Sequence, residues 1–222
     1  MVSKSQIKLV RQLGQKKYRD QHQLFVAEGL KVIREFVDEK YQLHHLYALE
    51  ERHFPSQHVS LVNQAQMKAM SDLKTPSDAL AVFAMPKTQT SSHSDLVLAL
   101  ESIQDPGNLG TIIRLCDWFG IQNIICSFDT VDCYNPKVVR STMGSLARVK
   151  VFYKDLESWL MEVKDCQIVG TSMTGQSIYK HNFDKPTILL IGNEGRGLSK
   201  QLAELSNKAL SIPRFGGAES LN

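Results

Sequence analysis

A chain of 222 residues, 42% apolar and 22% charged, holds enough material for one large globular domain or two small ones, each with its own core. Its 26 Lys and Arg against 23 Asp and Glu leave a net charge of only +3, so the total alone does not announce a polyanion partner. No apolar run approaches the ~20 residues of a membrane span, and the start MVSKSQIKLV lacks the long apolar core of a secretory leader, so a cytoplasmic protein without a membrane partner is expected.

The distribution of charge says more than its sum. Met1–Arg19 carries Lys4, Lys8, Arg11, Lys16, Lys17 and Arg19 and no acidic residue, a pattern that suits nucleic acid about as well as a solvated helix face. A basic helix is expected near Ser3–Leu13, then a strand at Leu24–Ala27 and an amphipathic helix from Glu28 to Glu39. Strands follow at Leu43–Leu49, Val59–Val62 and Ala79–Met85, with a helix at Gln64–Leu73 before the last. This alternation describes a small α/β unit over 1–87. Lys87-Thr-Gln-Thr-Ser-Ser-His-Ser94 has no large apolar residue, and 88–95 is read as the linker to a second domain, 96–222.

That domain opens with a buried strand at Leu96–Ser102. Asp105-Pro106-Gly107-Asn108 reads as a type II turn, with Asn108 capping a helix over Leu109–Phe119. Leu109, Ile112, Ile113 and Cys116 form its apolar stripe, which turns Arg114 away from the core. Strands are expected at Asn123–Ser127, Arg148–Tyr153 and Gln167–Thr171, and helices over PKVVRSTMGSLA, capped by Asn135, and over Leu156–Val163. Cys116, Cys126, Cys133 and Cys166 form no C-x-x-C pair, and the histidines show no metal-ligand spacing, so reduced thiols and no metal are expected.

The densest stretch is Thr187–Asn222. Thr187–Ile191 reads as a fully buried strand, broken by Gly192-Asn193-Glu194-Gly195-Arg196-Gly197. Ser199 caps a helix to about Asn207, and Ala209–Ile212 is a strand stopped by Pro213 before a second flexible loop, Phe215-Gly216-Gly217-Ala218. The two loops should meet at one edge of one sheet. Neither phosphate pattern fits: GNEGRG is GxxGxG rather than GxGxxG, and there is no GxxxxGK[ST].

NLGTIIR after Pro-Gly, then GNEGRG, then IPRFGGAESLN resemble, in order, the three signatures of the SpoU family of S-adenosylmethionine-dependent RNA methyltransferases, within the SPOUT class, and PKVVRSTMGSLA resembles the segment between the first two. The resemblance covers about Leu96–Asn222. It departs at Arg214, a position commonly Met in the family, which bears on substrate detail rather than on activity. Lys16-Lys17-Tyr18-Arg19 followed by FVAEG resembles, over roughly the first 85 residues, the substrate-binding domain found in many SpoU enzymes.

The resemblance implies a trefoil-knotted, mainly parallel sheet with flanking helices, preceded by a small α/β RNA-binding domain, and a homodimer. It implies S-adenosylmethionine as cofactor, bordered by Thr171, Gly192, Asn193, Gly197, Ile212 and Leu221. Arg114 would serve the nucleophile, positioned by Asn108, Glu194, Ser220 and Asn222. A guanidinium, which keeps its proton at any ordinary pH, is a poor base in isolation and is better suited to gripping a phosphate and stabilising developing charge, though a role as proton acceptor stays open. Lys16, Lys17, Arg19 and Arg140 would face RNA, with Tyr18 available to stack on a base. The expected reaction is methylation of a ribose 2′-hydroxyl in structured RNA, ribosomal RNA ahead of transfer RNA. A non-catalytic RNA-binding or ribosome-assembly protein on the same fold is the competing class, and cofactor titration separates the two. Family members continue past the segment matching Glu219–Asn222 into an apolar helix, so a further stretch of roughly one to two dozen residues is expected in the parent protein.

Overall fold

The computed structural model describes residues 2–54, 57–87, 95–183 and 185–217. Helix α1 (Lys4–Gln12) begins with a capping box: the Ser3 hydroxyl accepts from the Gln6 amide, and the Gln6 side chain accepts from the Ser3 amide. It satisfies two of the helix's otherwise orphaned donors and is worth about 1 kcal/mol. The basic stretch beyond the first helix, Lys16-Lys17-Tyr18-Arg19, folds into a second short helix, α2 (Lys16–His22). β1 (Leu24–Glu28) runs one residue further than expected, because Gly29, at φ 104°, turns the chain before α3 (Leu30–Asp38) can start. β2 (Leu43–Ala48), β3 (Ser60–Leu61), α4 (Gln64–Met70) and β4 (Ala79–Ala84) follow. The sheet order is β1-β4-β2-β3, with β4 antiparallel to both neighbours. On one face α1 and α4 pack Val10, Leu13, Met67 and Met70 against Val26, Leu80 and Val82. Elsewhere in the unit Phe25, Phe36, Tyr41, Phe83 and Tyr134 form an aromatic cluster with centroids 4.7–6.2 Å apart.

The second half supplies β5 (Leu96–Leu100), α5 (Pro106–Trp118), β6 (Asn123–Cys126), α6 (Pro136–Ser141), β7 (Lys150–Tyr153), α7 (Leu156–Glu162), β8 (Gln167–Ser177), β9 (Thr187–Ile191), α8 (Lys200–Leu205) and β10 (Lys208–Ser211). These strands form one six-stranded, fully parallel sheet in the order β10-β8-β9-β5-β6-β7. Parallel strands are covered on both faces, which is why they read as continuous apolar runs. Ala99, Ile125, Phe152, Ile188 and Leu190 pack with Leu156, Leu160 and Leu202 of α7 and α8.

Three sequence expectations change. Asp105, not Asn108, caps α5: its carboxylate accepts from the Asn108 amide and Pro106 takes the first helical turn, so the turn read as type II is helix. The helix expected over PKVVRSTMGSLA stops at Ser141, because Met143 and Gly144 adopt positive φ; a Cβ on Gly144 would fall 2.4 Å from the Glu35 Cγ. β8 runs to Ser177, six residues beyond Thr171.

Two compact units result, one of Met1–Lys87 with Asp132–Arg148 and one of Thr88–Val131 with Val149–Asn222. Residues 88–94 of the expected linker lie outside the described residues, as do 218–222, on which the expected threading of the C-terminal segment turns. Cys116, Cys126 and Cys133 are buried, and burial pushes the Cys116 thiol up to about 12, so it is inert at neutral pH.

Candidate active site

In an open parallel sheet, ligands bind outside the carboxyl ends of the strands, where connections leave in opposite directions. β5 and β9 are that pair here. They lie side by side, with Leu100 opposite Ile191, and the chain leaves β5 through α5 toward β6 but leaves β9 through α8 toward β10. The crevice between the two exits holds residues 101–108 and 192–199.

Asn108, in the first turn of α5, donates through its side-chain amide to the Glu194 carboxylate across this crevice. The loop after β9 is closed on itself: Asn193 and Gly197 exchange both backbone hydrogen bonds at 3.0 and 2.8 Å, and the Asn193 side-chain oxygen accepts from the Gly195 and Arg196 amides at 3.0 and 3.3 Å. The closure explains two glycines. A Cβ on Gly192 would sit 2.2 Å from the Gly197 carbonyl carbon, and Gly197 adopts φ 69°. Gly192 is therefore demanded by backbone meeting backbone.

Thr171 stands on β8 beside this loop's strand and donates its hydroxyl to the Leu190 carbonyl at 3.0 Å. Ile212, just past β10, is 57% exposed, and Phe215 on the following loop is 96% exposed. β8 lies between β9 and β10, so the two loops leave the same sheet edge two strands apart rather than side by side. Arg114 lies on the exposed side of α5, whose buried positions are Leu109, Gly110, Ile113 and Cys116; Ile112, expected in that stripe, is half-buried. Ser220, Leu221 and Asn222 lie outside the described residues.

Residues 95–222 match the SpoU rRNA Methylase family. The chain belongs to this family. Residues 4–81 match the MRM3-like substrate binding domain. The chain is similar to the 23S rRNA (guanosine(2553)-2′-O)-methyltransferase RlmP of Bacillus subtilis, 29% identical over 220 residues that cover 96% of this chain and 88% of that one. A protein of Synechocystis named as an uncharacterized tRNA/rRNA methyltransferase is 32% identical over 235 residues, with 97% of this chain and 85% of that one covered. Among solved structures, an AdoMet-bound rRNA methyltransferase from Sinorhizobium meliloti superposes with a TM-score of 0.87 at 30% identity, covering 100% of this chain and 91% of that one.

Within this SpoU domain the residues suit a nucleoside without phosphates. An anion cradle needs successive backbone N–H groups aimed outward. Here the Gly195 and Arg196 amides point inward to Asn193, while exposed Ile212 offers an apolar surface at the same sheet edge. That set fits an adenosine bearing a sulfonium side chain and would not hold a pyrophosphate.

The four residues expected to face RNA all lie in the first unit and separate there. Lys16 and Lys17 are exposed on α2, and Arg140 is half-buried on α6. Arg19 does not face outward: it is 1% exposed and donates to the Leu13 and Gly14 carbonyls at 2.9 Å each and to the Asp132 carboxylate at 2.9 and 2.5 Å. Helical spacing sends Arg19 and its neighbour Lys17 to different faces, and only the outer one keeps its charge in water. Four residues not singled out from sequence also order the crevice. The Glu101 carboxylate accepts from the Ser199 amide at 2.7 Å, and Ser102, Ser127 and Asp129 form a polar cluster beneath the loop. No spacing pattern marks them, because they meet only when β5, β6 and β9 pair.

Proposed function

We propose that this protein transfers the methyl group of S-adenosylmethionine to a ribose 2′-hydroxyl of structured RNA, ribosomal RNA ahead of transfer RNA. The observation that carries this reading is the contact between Asn108 and Glu194, which brings the first signature and the glycine loop together at the switch point of the sheet. Relatives named as 23S rRNA 2′-O-methyltransferases support the choice of RNA.

The cofactor supplies an electrophilic methyl group and its own driving force. Thr171, Gly192, Asn193, Gly197, Ile212 and Leu221 would border its adenosine. Exposed Arg114 would hold the target phosphate through its planar fork and stabilise charge developing on the ribose oxygen. Asn108 and Glu194, with Ser220 and Asn222, would set the approach of the ribose. Tritiated S-adenosylmethionine incubated with total RNA, followed by mapping of 2′-O-methyl positions, is expected to place label on a ribose of ribosomal RNA. Label on a base, on DNA or on protein would remove the reading, and label confined to transfer RNA would remove the substrate preference.

Lys16 and Lys17 would grip RNA phosphates from α2. Their joint replacement by Ala should weaken RNA binding and lower the slope of log affinity against log salt by about one to two units, since each phosphate left without its lysine reduces the slope by about one. An unchanged slope in filter-binding titrations would leave both lysines as solvated surface.

The assembly would be a homodimer acting in the cytoplasm. Leu115 and Trp118 of α5 and its capping residue Phe119 are exposed, Trp118 at 84% and Phe119 at 70%, an apolar group that a second copy of the chain would cover. Sedimentation should give a dimer that Trp118→Asp with Phe119→Asp converts to monomer. A dimer untouched by these changes would move the interface elsewhere, and cell fractionation tests the compartment.

A further inference from the structure

Ser102 is not glycine, yet it adopts φ 57°, a conformation that L side chains rarely take. Strain of this kind persists only where the surroundings over-determine it. Here every polar group of Ser102 is engaged. Its amide donates to the Ser127 hydroxyl at 2.9 Å, its hydroxyl donates to one oxygen of the Asp129 carboxylate, and its carbonyl accepts from the Asn193 side-chain amide at 2.9 Å. The other Asp129 oxygen accepts from the Ser127 hydroxyl at 2.5 Å. One carboxylate therefore holds both hydroxyls that pin the backbone of Ser102.

Asn193 is the far end of this relay. The same amide group that donates to the Ser102 carbonyl accepts, through its oxygen, the Gly195 and Arg196 amides. A rotation of Ser102 would deprive Asn193 of its anchor and release the turn that carries Glu194. Glu101 holds the other end of the loop through the Ser199 amide, so two consecutive residues of one strand end bracket the whole turn. Asp129 is suited to the task as a permanent acceptor. The Ser102 and Ser127 hydroxyls hold its carboxyl below the usual carboxylate range, and the charge of Arg196 adds to the effect.

We propose that Asp129 is a positioning residue for the Gly192–Gly197 loop, acting through Ser102 on Asn193. The functional half of this proposal rests on the reading of that loop as the cofactor-side wall of the active site; the structural half does not.

Amide hydrogen exchange over 193–198 in the ligand-free protein tests the structural half, and calorimetric titration with S-adenosylmethionine tests the functional half. Asp129 is exposed, so Asp129→Ala should leave the fold intact. It is expected to speed exchange in the loop and to raise the Kd for S-adenosylmethionine by about tenfold each, the weight of one charge-assisted hydrogen bond. Asp129→Asn retains an acceptor for the Ser102 hydroxyl and should recover most of both effects. Ser102→Gly accepts the positive φ without strain but lacks the hydroxyl, and it should match Asp129→Ala. Combined with Asp129→Ala it should add nothing further, because the two act in one chain. Unchanged loop exchange in Asp129→Ala, or an additive double variant, overturns the proposal. Faster exchange with an unchanged Kd overturns its functional half. A wild-type protein that binds no S-adenosylmethionine refutes the proposed function instead, and the exchange data still decide whether Asp129 orders the loop.

Discussion

Replacing Arg114 with alanine is expected to lower single-turnover methyl transfer by about 10²–10³-fold, the usual cost of losing a preorganised donor to developing charge. Cofactor affinity should stay within about twofold, far below one tenfold step of 1.4 kcal/mol. The split follows from position. Arg114 projects from the exposed side of α5, the helix that follows β5, whereas the expected cofactor contacts sit on the exits of β8, β9 and β10. Arg114→Lys should recover only part of the rate, since an ammonium is a point charge without the fork that engages two phosphate oxygens. Single-turnover kinetics with saturating RNA, beside calorimetric titration of the cofactor, separates the two quantities. A parallel fall in S-adenosylmethionine affinity would place Arg114 against the cofactor and undo its assignment to the RNA side.

The second large effect is expected on stability. Arg19→Ala should destabilise the first unit by about 3–5 kcal/mol, because it strands a mostly buried carboxylate without its partner. The Asp132 side chain is 13% exposed and the Arg19 side chain 2%, and the same guanidinium also satisfies the Leu13 and Gly14 carbonyls that end the turn after α1. Replacing both charges by apolar residues of similar size, Arg19→Met with Asp132→Leu, should restore much of the loss, since neither charge is then left unpaired. Urea unfolding followed by far-UV circular dichroism measures both variants. An unchanged midpoint in Arg19→Ala, together with a lower salt slope of RNA binding, would return Arg19 to the RNA-facing surface.

The contrast between Lys17 and Arg19 shows where sequence reading stops. Both lie in one basic run and look alike along the chain. One is solvated and the other is clamped by Asp132, a partner 113 residues away that no local pattern announces. The same limit applies to Asp105 and Asn108. Either residue type can cap a helix, and the choice fell to Asp105 because Pro106, with no amide to satisfy, sits well in the first helical turn. Asn108 was thereby left free to reach Glu194.

What the sequence determined by itself is what neighbours along the chain control. The short apolar runs at Leu96–Leu100 and Thr187–Ile191 read as buried strands, Ser199 and Asn135 read as caps of the helices they precede, and three ordered signatures marked the family. Burial of an apolar run and capping of a helix end are decided within a few residues, so they survive translation into a one-dimensional pattern. Tertiary structure decided which polar groups meet. Gly192 is needed because Gly197 returns against it, and Asn193 is held by Ser102, 91 residues earlier in the chain. Asp129 reaches the Ser102 hydroxyl only because the ends of β5 and β6 come together. Hydrogen bonds between side chains are short and directional, so they depend on strand order and register, which the chain acquires only by folding.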